Sequence, residues 1–334
     1  MIRVCVDAMG GDEPPEVVLE GIAKALKDHA DVEVLVAGDA SVVEPFCAKH
    51  ERAKALVTTE AIGMDEHPAD AIRAKRDSSI VRGCEAIRAG EADAFFSAGN
   101  TGAVLAAATL KVGRIHGVTR PALMTPIPGL DGHRTVTLDL GANADCKPEM
   151  LVQFAQMGSA FAHTVMGVEH PRCALMSNGT EATKGSAQVL EFHALLEEHN
   201  GEGYDFAGNC EGVDLLLGNY DVIVADGFTG NVALKTLEGT AKYMVKRIKA
   251  AVAKSPRAAL GALLLKPALS EVARDLSGDE TGGAVLLGCK APVFIGHGAT
   301  SANAVYHGIL AAKRAVEGGL VERIANSCAA QEQE

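Results

Sequence analysis

The chain has 334 residues, a hydrophobic fraction of 48%, no tryptophan and a formal net charge of −12. This composition supports a large aliphatic core and excludes a disordered protein. The acidic charge and an aromatic fraction of only 4% argue against a nucleic-acid-binding protein.

Short β-branched runs alternate with longer amphipathic stretches along the chain. We predict strands at 2–6, 33–37, 93–97, 135–140, 172–176, 221–225 and 292–296. We predict helices at 15–28, 101–111, 147–166 and 301–316. The alternation indicates an α/β fold, an α/β/α sandwich with a mostly parallel sheet, which we assign to residues 1–334 as one large domain. Residues 325–334 are expected to form a flexible tail.

Six predicted strands end in loops rich in Gly and small polar residues. These loops are 7–12 (DAMGGD), 97–102 (SAGNTG), 139–143 (DLGAN), 177–181 (SNGTE), 226–231 (DGFTGN) and 296–301 (GHGATS). Any one of them is also compatible with an ordinary strand-to-helix turn. Because ligands of parallel sheets bind beyond the carboxyl ends of the strands, we expect the six loops to gather along one rim.

The chemistry of these loops suits an oxyanion, since Gly-rich turns and helix N-termini present backbone N–H groups. Lys184, near the start of a helix, is a cation among neutral donors and fits a phosphate. The alternative is a surface pair between Lys184 and Glu181. The predicted substrate- or phosphate-binding residues are Asp7, Gly10, Gly11, Asp12, Ser97, Asn100, Thr101, Gly102, Asp139, Asn143, Asn178, Glu181, Asp226, Gly227 and His297.

Two further interpretations of these residues stay open. Asp7 with Asp12, and Asp139 with Asp226, are compatible with a divalent metal site, although helix capping and turn stabilisation are the simpler roles. His297 lies between two glycines and is either an acid or base near neutral pH or a structural hydrogen-bond partner.

A basic segment stands out from the acidic chain. Residues 241–266 carry a charge of +7 with no Asp or Glu, which leaves −19 for the rest. Apolar residues from Leu234 to Val252 follow helical spacing and predict a helical core face. Ser255 and Pro256 predict the start of a second helix, and Pro267 predicts its interruption.

We expect residues 239–277 to project from the domain as amphipathic helices with an apolar tip. Its surface is expected to contact an anionic membrane or an acidic partner protein. The residues proposed for that contact are Lys246, Arg247, Lys254, Arg257, Leu260, Leu263 and Leu264.

The sequence also predicts where the protein is found. The eight cysteines include no Cys-x-x-Cys pair, which is typical of a reduced cytoplasmic protein. The N-terminal segment predicts a strand rather than a signal peptide, and no apolar run approaches roughly 18 residues.

Taken as a set, the loops resemble the motifs of the PlsX family of acyl-acyl-carrier-protein:phosphate acyltransferases. The resemblance rests on 6–12 (VDAMGGD), 97–103 (SAGNTGA), 139–143 (DLGAN), 178–185 (NGTEATKG) and 226–231 (DGFTGN), in the family's order. It extends from residue 1 to about residue 320. The sequence departs from the family pattern at Ala299 and Thr300, where two serines are expected.

The resemblance implies transfer of a long-chain acyl group from acyl carrier protein to inorganic phosphate, without a metal or cofactor. It implies a fold shared with phosphotransacetylases and isocitrate-type dehydrogenases, and a homodimer with its active cleft near the dimer interface. It also implies peripheral contact with the inner membrane, through an apolar helical tip, and with a downstream acyl-phosphate-dependent glycerol-3-phosphate acyltransferase. Lys184 and Asn231 are the expected catalytic residues.

Three rival functions remain at this point. The first is a phosphotransacylase that uses acyl-coenzyme A, and the second is a metal-dependent decarboxylating dehydrogenase on the same fold. The third is a non-catalytic membrane-associated scaffold for lipid synthesis.

Overall fold

Strands and helices alternate along most of the chain in the computed structural model, which describes residues 1–277 and 282–329, with 269–277 and 329 described by backbone alone. The strands are β1 Ile2–Asp7, β2 Val32–Gly38, β3 Ala53–Val57, β4 Ala94–Ser97, β5 Ala122–Pro128, β6 Arg134–Leu138, β7 Arg172–Met176, β8 Asp205–Cys210, β9 Val222–Val224, β10 Ala284–Leu287 and β11 Val293–Ile295. The helices are α1 Glu16–Asp28, α2 Ala40–Cys47, α3 Pro68–Ala74, α4 Ser79–Arg88, α5 Thr101–Ala107, α6 Pro148–Met166, α7 Ala187–Glu198, α8 Asp214–Leu217, α9 Gly227–Val252, α10 Pro256–Ser277, α11 Ala302–Glu317 and α12 Leu320–Ala329. A π-helical turn, Ala108–Val112, continues α5.

The strands form one mixed sheet in the order β3-β2-β1-β4-β11-β10-β5-β6-β9-β7-β8. The strands β3, β2, β1, β4 and β11 are parallel to one another, as are β6, β9, β7 and β8. Between these two halves, β11–β10, β10–β5 and β5–β6 are all antiparallel. Three reversals in series make the two parallel halves run in opposite directions.

The expectation that all six loops share one rim is therefore wrong. The loops after β1, β4 and β11 (7–12, 97–102 and 296–301) lie at one edge of the sheet, here called the first rim. The loops after β6, β7 and β9 (139–143, 177–185 and 226–231) lie at the opposite edge, here called the second rim. The sequence pattern predicts parallel strands, but it contains no signal for the antiparallel pairs that separate one parallel half of the sheet from the other.

Helices cover both faces of the sheet and make three layers, as predicted. Alternate strand residues enter different cores: Phe96 belongs to a cluster with residues of α1, α6, α7, α11 and α12, whereas Phe95 belongs to a cluster with residues of α3, α4 and α5. A third cluster, around Ile127 and Ile223, lies under α8 and the start of α9. The core is mainly aliphatic, as the composition indicates, and the described residues add seven buried phenylalanines and Tyr204 to it.

The seven predicted strands and four predicted helices are confirmed to within a few residues at their ends. Four strands were not predicted: β3, β5, β8 and β10. β5 contains Pro126 and Pro128, which have no N–H to donate to a neighbouring strand. Both prolines pair with β6 alone, because β10 pairs only with Ala122–Met124 on the other side of β5.

The basic segment forms the distal part of α9 and most of α10, and no residue from 239 to 268 is buried. We call residues 239–277 the arm. Leu234 and Leu237 pack against the third cluster, but Val245 and Ile248 are 44% and 45% exposed, so the predicted core face ends near Ala241. The start of α10 at Pro256 is confirmed, with Ser255 Oγ accepting from the Ala258 N–H at 3.5 Å. The predicted interruption at Pro267 is wrong, because α10 is continuous through this proline, with helical turns on both sides of it.

The predicted tail at 325–334 overlaps α12, which extends to Ala329. Ile324 and Cys328 are buried in the main core, because α12 packs along α6. Residues 330–334 lie outside the described residues.

Candidate functional site

The first rim is organised by a buried carboxylate. Asp7, at the end of β1, is 1% exposed; its Oδ1 accepts the Met9 N–H at 2.9 Å and its Oδ2 accepts the Ser97 hydroxyl at 2.7 Å. Ser97 Oγ accepts in turn the Gly99 N–H at 3.0 Å. A Cβ on Gly10 would lie 2.6 Å from both Asp7 Oδ2 and the Gly99 N. Asp7, Gly10 and Ser97 therefore fasten two loops of this rim together.

Asn100 caps α5 and holds a loop that the sequence analysis did not single out. Its Oδ1 accepts the Ala103 N–H at 3.0 Å, and its Nδ2 donates to Met64 O at 2.9 Å and Glu66 O at 3.0 Å. The loop 61–67 thereby lies across the rim, with Met64 beside Gly298 and with Pro68, the residue that follows the loop, beside Gly102. Nothing in the local pattern identifies a partner 36 residues away in the sequence.

Glu66 closes the 61–67 loop from its other end. Its Oε1 accepts the Gly63 N–H at 2.5 Å and lies 2.6 Å from Lys75 Nζ, which also donates to Ala61 O at 2.7 Å. The hydrogen bond from Lys75, with the Gly63 N–H, lowers the pKa of Glu66.

The remaining predicted residues of the first rim face solvent more openly. The Asp12 N–H donates to Gly298 O at 2.8 Å, and Gly11 has a φ of +116°, which favours glycine. Thr101, Asp12 and His297 are exposed, and His297 Nδ1 accepts the Ala299 N–H at 3.3 Å. Thr300 Oγ1 is buried without a hydrogen-bond partner, so the position that departs from the family pattern still offers one hydroxyl.

A second buried carboxylate, Asp139, organises the second rim. Asp139 is fully buried and accepts the N–H groups of Leu123, Ala142 and Asn143 at 2.9, 3.1 and 2.7 Å. It also accepts the Asn143 Nδ2 at 2.9 Å. Burial raises the pKa of Asp139, as it does that of Asp7, and these hydrogen bonds oppose the rise.

The start of α9 packs directly on this loop. Asp226 caps α9 by accepting the Thr229 N–H at 2.8 Å, and Asn231 Nδ2 donates to Leu140 O at 2.9 Å. A Cβ would lie 2.4 Å from Asn143 O if added at Gly227, and 2.0 Å from Asp139 O if added at Gly230. Only glycine at these positions lets α9 begin this close to the loop.

The loop after β7 carries the predicted cation. Lys184 is exposed, its N–H donates to Glu181 O at 3.0 Å, and its Cγ lies 2.8 Å from where a Cβ on Gly179 would sit. Asn178 and Glu181 are also exposed. Ser177 Oγ is buried without a partner in this loop. Gln188 Nε2, in α7, donates to Cys146 O at 2.8 Å and joins this loop to the one after β6.

The structure thus brings together Asp139, Asn143, Asp226, Gly227 and Asn231 at the second rim, with Lys184 on a neighbouring loop. It places Asp7, Gly10, Ser97, Asn100 and His297 at the opposite edge. Asp7 is paired with Ser97 rather than Asp12, and no group of three or more metal-ligating side chains occurs among the residues of 1–268 and 282–328.

The arm presents its apolar tip to solvent. Leu260, Leu263, Leu264 and Leu265 are 58–76% exposed, and Lys246, Arg247, Lys254 and Arg257 are exposed beside them. None of the helices in the described part of the chain has the length and hydropathy needed to cross a bilayer.

Comparison with known proteins gives a family over nearly the full length. The family model described as "Fatty acid synthesis protein" matches residues 2–323. A phosphate acyltransferase of Streptococcus pneumoniae is 45% identical over 97% of this chain and 98% of its own. A phosphate acyltransferase of Staphylococcus aureus is 42% identical over 96% of this chain and 97% of its own.

Solved structures share the fold at low identity. A phosphotransacetylase from Streptococcus pyogenes covers 95% of this chain and 94% of its own, with a TM-score of 0.63 and 18% identity. The EutD phosphotransacetylase from Staphylococcus aureus covers 94% of both chains, with a TM-score of 0.59 and 17% identity. The likeness to phosphotransacetylases confirms the predicted fold class.

The lowered pKa of Glu66 predicts how the 61–67 loop responds to acid. Its carboxylate stabilises the loop above its ordinary pKa of 4.5, and that contribution is lost as the pH falls through the lower folded value. Hydrogen exchange of a peptide covering the loop, corrected for intrinsic rates, is expected to show constant protection from pH 7 to 5 and weaker protection below about 4.5. Glu66→Gln is expected to abolish this step, and an unchanged step in that variant would contradict the assignment.

Proposed function

Because the chain belongs to the PlsX family of phosphate acyltransferases, we propose that it transfers a long-chain acyl group from the thioester of acyl carrier protein to inorganic phosphate. The product is an acyl phosphate for phospholipid synthesis. The observation that carries the proposal is the match over nearly the full chain to phosphate acyltransferases, in a protein with a buried carboxylate ordering Gly-rich loops at each rim.

The reaction requires little acid–base catalysis by side chains of the protein. Phosphate is already anionic at neutral pH, so one of its oxygens attacks the thioester carbonyl directly. The tetrahedral oxyanion then collapses, the C–S bond breaks, and the carrier-protein thiolate leaves and takes a proton from solvent. Positioning and preorganised hydrogen-bond donors supply the rate enhancement.

We assign phosphate to the second rim. Lys184 provides a cation, Ser177 Oγ is a buried hydroxyl without a partner, and the N-terminus of the long helix α9 favours an anion. Asn231 donates one N–H to Leu140 O, and its amide carries a second for the phosphate or the oxyanion.

Other predicted ligands take a positioning role in this proposal. Hydrogen bonds within the first rim already occupy the side chains of Asp7, Ser97 and Asn100. Hydrogen bonds within the second rim occupy those of Asp139, Asn143 and Asp226. They hold backbone donors and side chains in place rather than contacting substrate.

Lys184→Ala and Asn231→Ala test this site. Each is expected to lower the phosphate-dependent formation of acyl phosphate from palmitoyl carrier protein by about 10²–10³-fold, the usual effect of losing an oxyanion donor. Lys27→Ala, an exposed lysine on α1, is the control and should leave the rate unchanged. Near-normal turnover in both folded variants would refute the assignment.

The same assay separates the rival functions. Palmitoyl-coenzyme A is expected to be a poorer donor than palmitoyl carrier protein, and added NAD with a divalent metal should have no effect. A preference for the coenzyme A thioester would favour a phosphotransacylase, and no phosphate-dependent loss of either thioester would favour a scaffold.

We also propose that the protein is a homodimer. Tyr243, Met244, Val245 and Ile248 leave 44–59% of their surface exposed on the arm, and clustered exposed apolar side chains of this kind mark protein interaction sites. Sedimentation equilibrium is expected to give twice the chain mass of 34.6 kDa. A single-chain mass at micromolar concentration would contradict the dimer.

The arm is further proposed to hold the protein at the inner membrane. Its leucine tip supplies apolar area, and residues 241–266 supply seven positive charges opposite anionic lipid. Delivery of an acyl phosphate to a membrane-bound glycerol-3-phosphate acyltransferase would follow from that location. Acyl carrier protein is acidic as well, so the same charges are available to it.

Flotation with anionic liposomes tests the tip. Leu263→Glu with Leu264→Glu is expected to abolish most binding, whereas Leu110→Glu, at a leucine 66% exposed outside the arm, should not. Unchanged flotation of the double variant would reject the membrane proposal. The KM of the double variant for palmitoyl carrier protein, measured without liposomes and compared with that of the unaltered protein, shows separately whether the tip also binds the carrier protein.

A further inference from the structure

A buried amide lies directly beneath the turn that carries Lys184. Asn209, in β8, is 2% exposed, and its Nδ2 donates to Glu181 O at 2.9 Å. The same carbonyl accepts the Lys184 N–H at 3.0 Å, the bond that closes the turn 181–184. One oxygen thus ties the Lys184 turn to a buried side chain of the edge strand β8.

A β-bulge turns Asn209 towards this position. The pairing of β7 with β8 shifts register so that Cys173 pairs with Phe206 and Leu175 with Asn209, which leaves one extra residue on β8. Side chains three positions apart normally point to opposite faces of a strand, but the bulge places Phe206 and Asn209 on the same face. Gly208, with a φ of +91°, supplies the backbone conformation that the bulge needs.

His193 on α7 contacts both residues of that face and fixes the orientation of the amide. Its ring packs edge-on against Phe206 with centroids 5.3 Å apart, and its Nδ1 lies 2.9 Å from Asn209 Oδ1. Because Asn209 donates through Nδ2 to Glu181 O, its Oδ1 accepts, so His193 Nδ1 carries the hydrogen and donates. His193, Asn209 and Glu181 O form a chain of hydrogen bonds that ends at the Lys184 turn.

We propose that Asn209 is a positioning residue for Lys184, and that His193 sets the orientation of the Asn209 amide. The proposal rests on the role of Lys184 in the proposed function. The exposed lysine side chain has no ion pair of its own among the described contacts, so the turn beneath it and the packing of its stem beside Gly179 set the position from which its ammonium group reaches a ligand. Misplacing a binding group by about 1 Å is enough to cost about 100-fold in rate.

Asn209→Asp is the sharpest variant, because it keeps the shape of the side chain and removes the donor to Glu181 O. We expect kcat/KM for phosphate to fall about 10–100-fold, with KM for palmitoyl carrier protein changed less than twofold. Asn200→Asp makes the same change on the connection before β8. Asn200 Oδ1 accepts the Phe206 N–H at 2.8 Å, an interaction that a carboxylate retains, so this control should keep normal activity.

A double-mutant cycle with Lys184→Ala separates positioning from general structural damage. If Asn209 acts through Lys184, Asn209→Asp should cost less than about threefold in the Lys184→Ala background. An equal loss in both backgrounds, or no loss with Lys184 present, would overturn the inference. If Lys184→Ala alone keeps normal turnover, the role of Lys184 fails instead, and absence of acyl phosphate from the unaltered protein would reject the proposed function itself.

His193→Phe provides a second test if Asn209→Asp does not fold. A phenyl ring keeps the packing on Phe206 and loses only the Nδ1 donor. We expect the same selective fall in kcat/KM for phosphate, about 3–10-fold, because the Asn209 amide is then free to rotate. A loss that affects the carrier-protein KM equally would contradict a positioning role.

Discussion

The arrangement of the loops depends on one constraint, which is the direction in which each strand of the sheet runs. Two antiparallel hairpins, β10–β11 and β5–β6, lie side by side in the middle of the sheet. A hairpin can be closed by a short connection, whereas parallel strands need a crossover. These hairpins join two parallel halves of opposite direction, so each edge receives its own set of Gly-rich loops.

Both rims are built in the same way despite their opposite positions. A carboxylate at the end of a strand is removed from water and surrounded by backbone N–H and hydroxyl donors, with Asp7 in the first rim and Asp139 in the second. Burial raises the pKa of both residues, and the hydrogen-bond donors oppose that rise without cancelling it. The result is a set of loops already fixed in shape before any substrate arrives, which is the condition for electrostatic catalysis without reorganisation.

The sequence predicted those features that leave a local pattern. Strands with short apolar runs, such as 34–37 (VLVA) and 173–176 (CALM), were found, and so were the helices that begin after Asn100 and Ser301. β5 was missed because its prolines are typical of loops, and β8 because Gly208 and Asn209 break the alternation at the bulge. The hydrogen bonds from Asn100 to the 61–67 loop and from Asn209 to the Lys184 turn join segments that are distant in the sequence. Neither has a signature in one sequence.

The length of the arm has an electrostatic consequence. From residue 239 to the end of α9 the helix rises about 20 Å, since each residue adds 1.5 Å. The far end of α9 is therefore separated from residue 239 by more than two Debye lengths at physiological salt, where that length is about 8 Å. At such a separation the −19 charge outside the basic segment is largely screened from the positive charges at the far end of α9. The length of the arm thus lets one acidic molecule keep a positively charged end whose field its own body does not cancel.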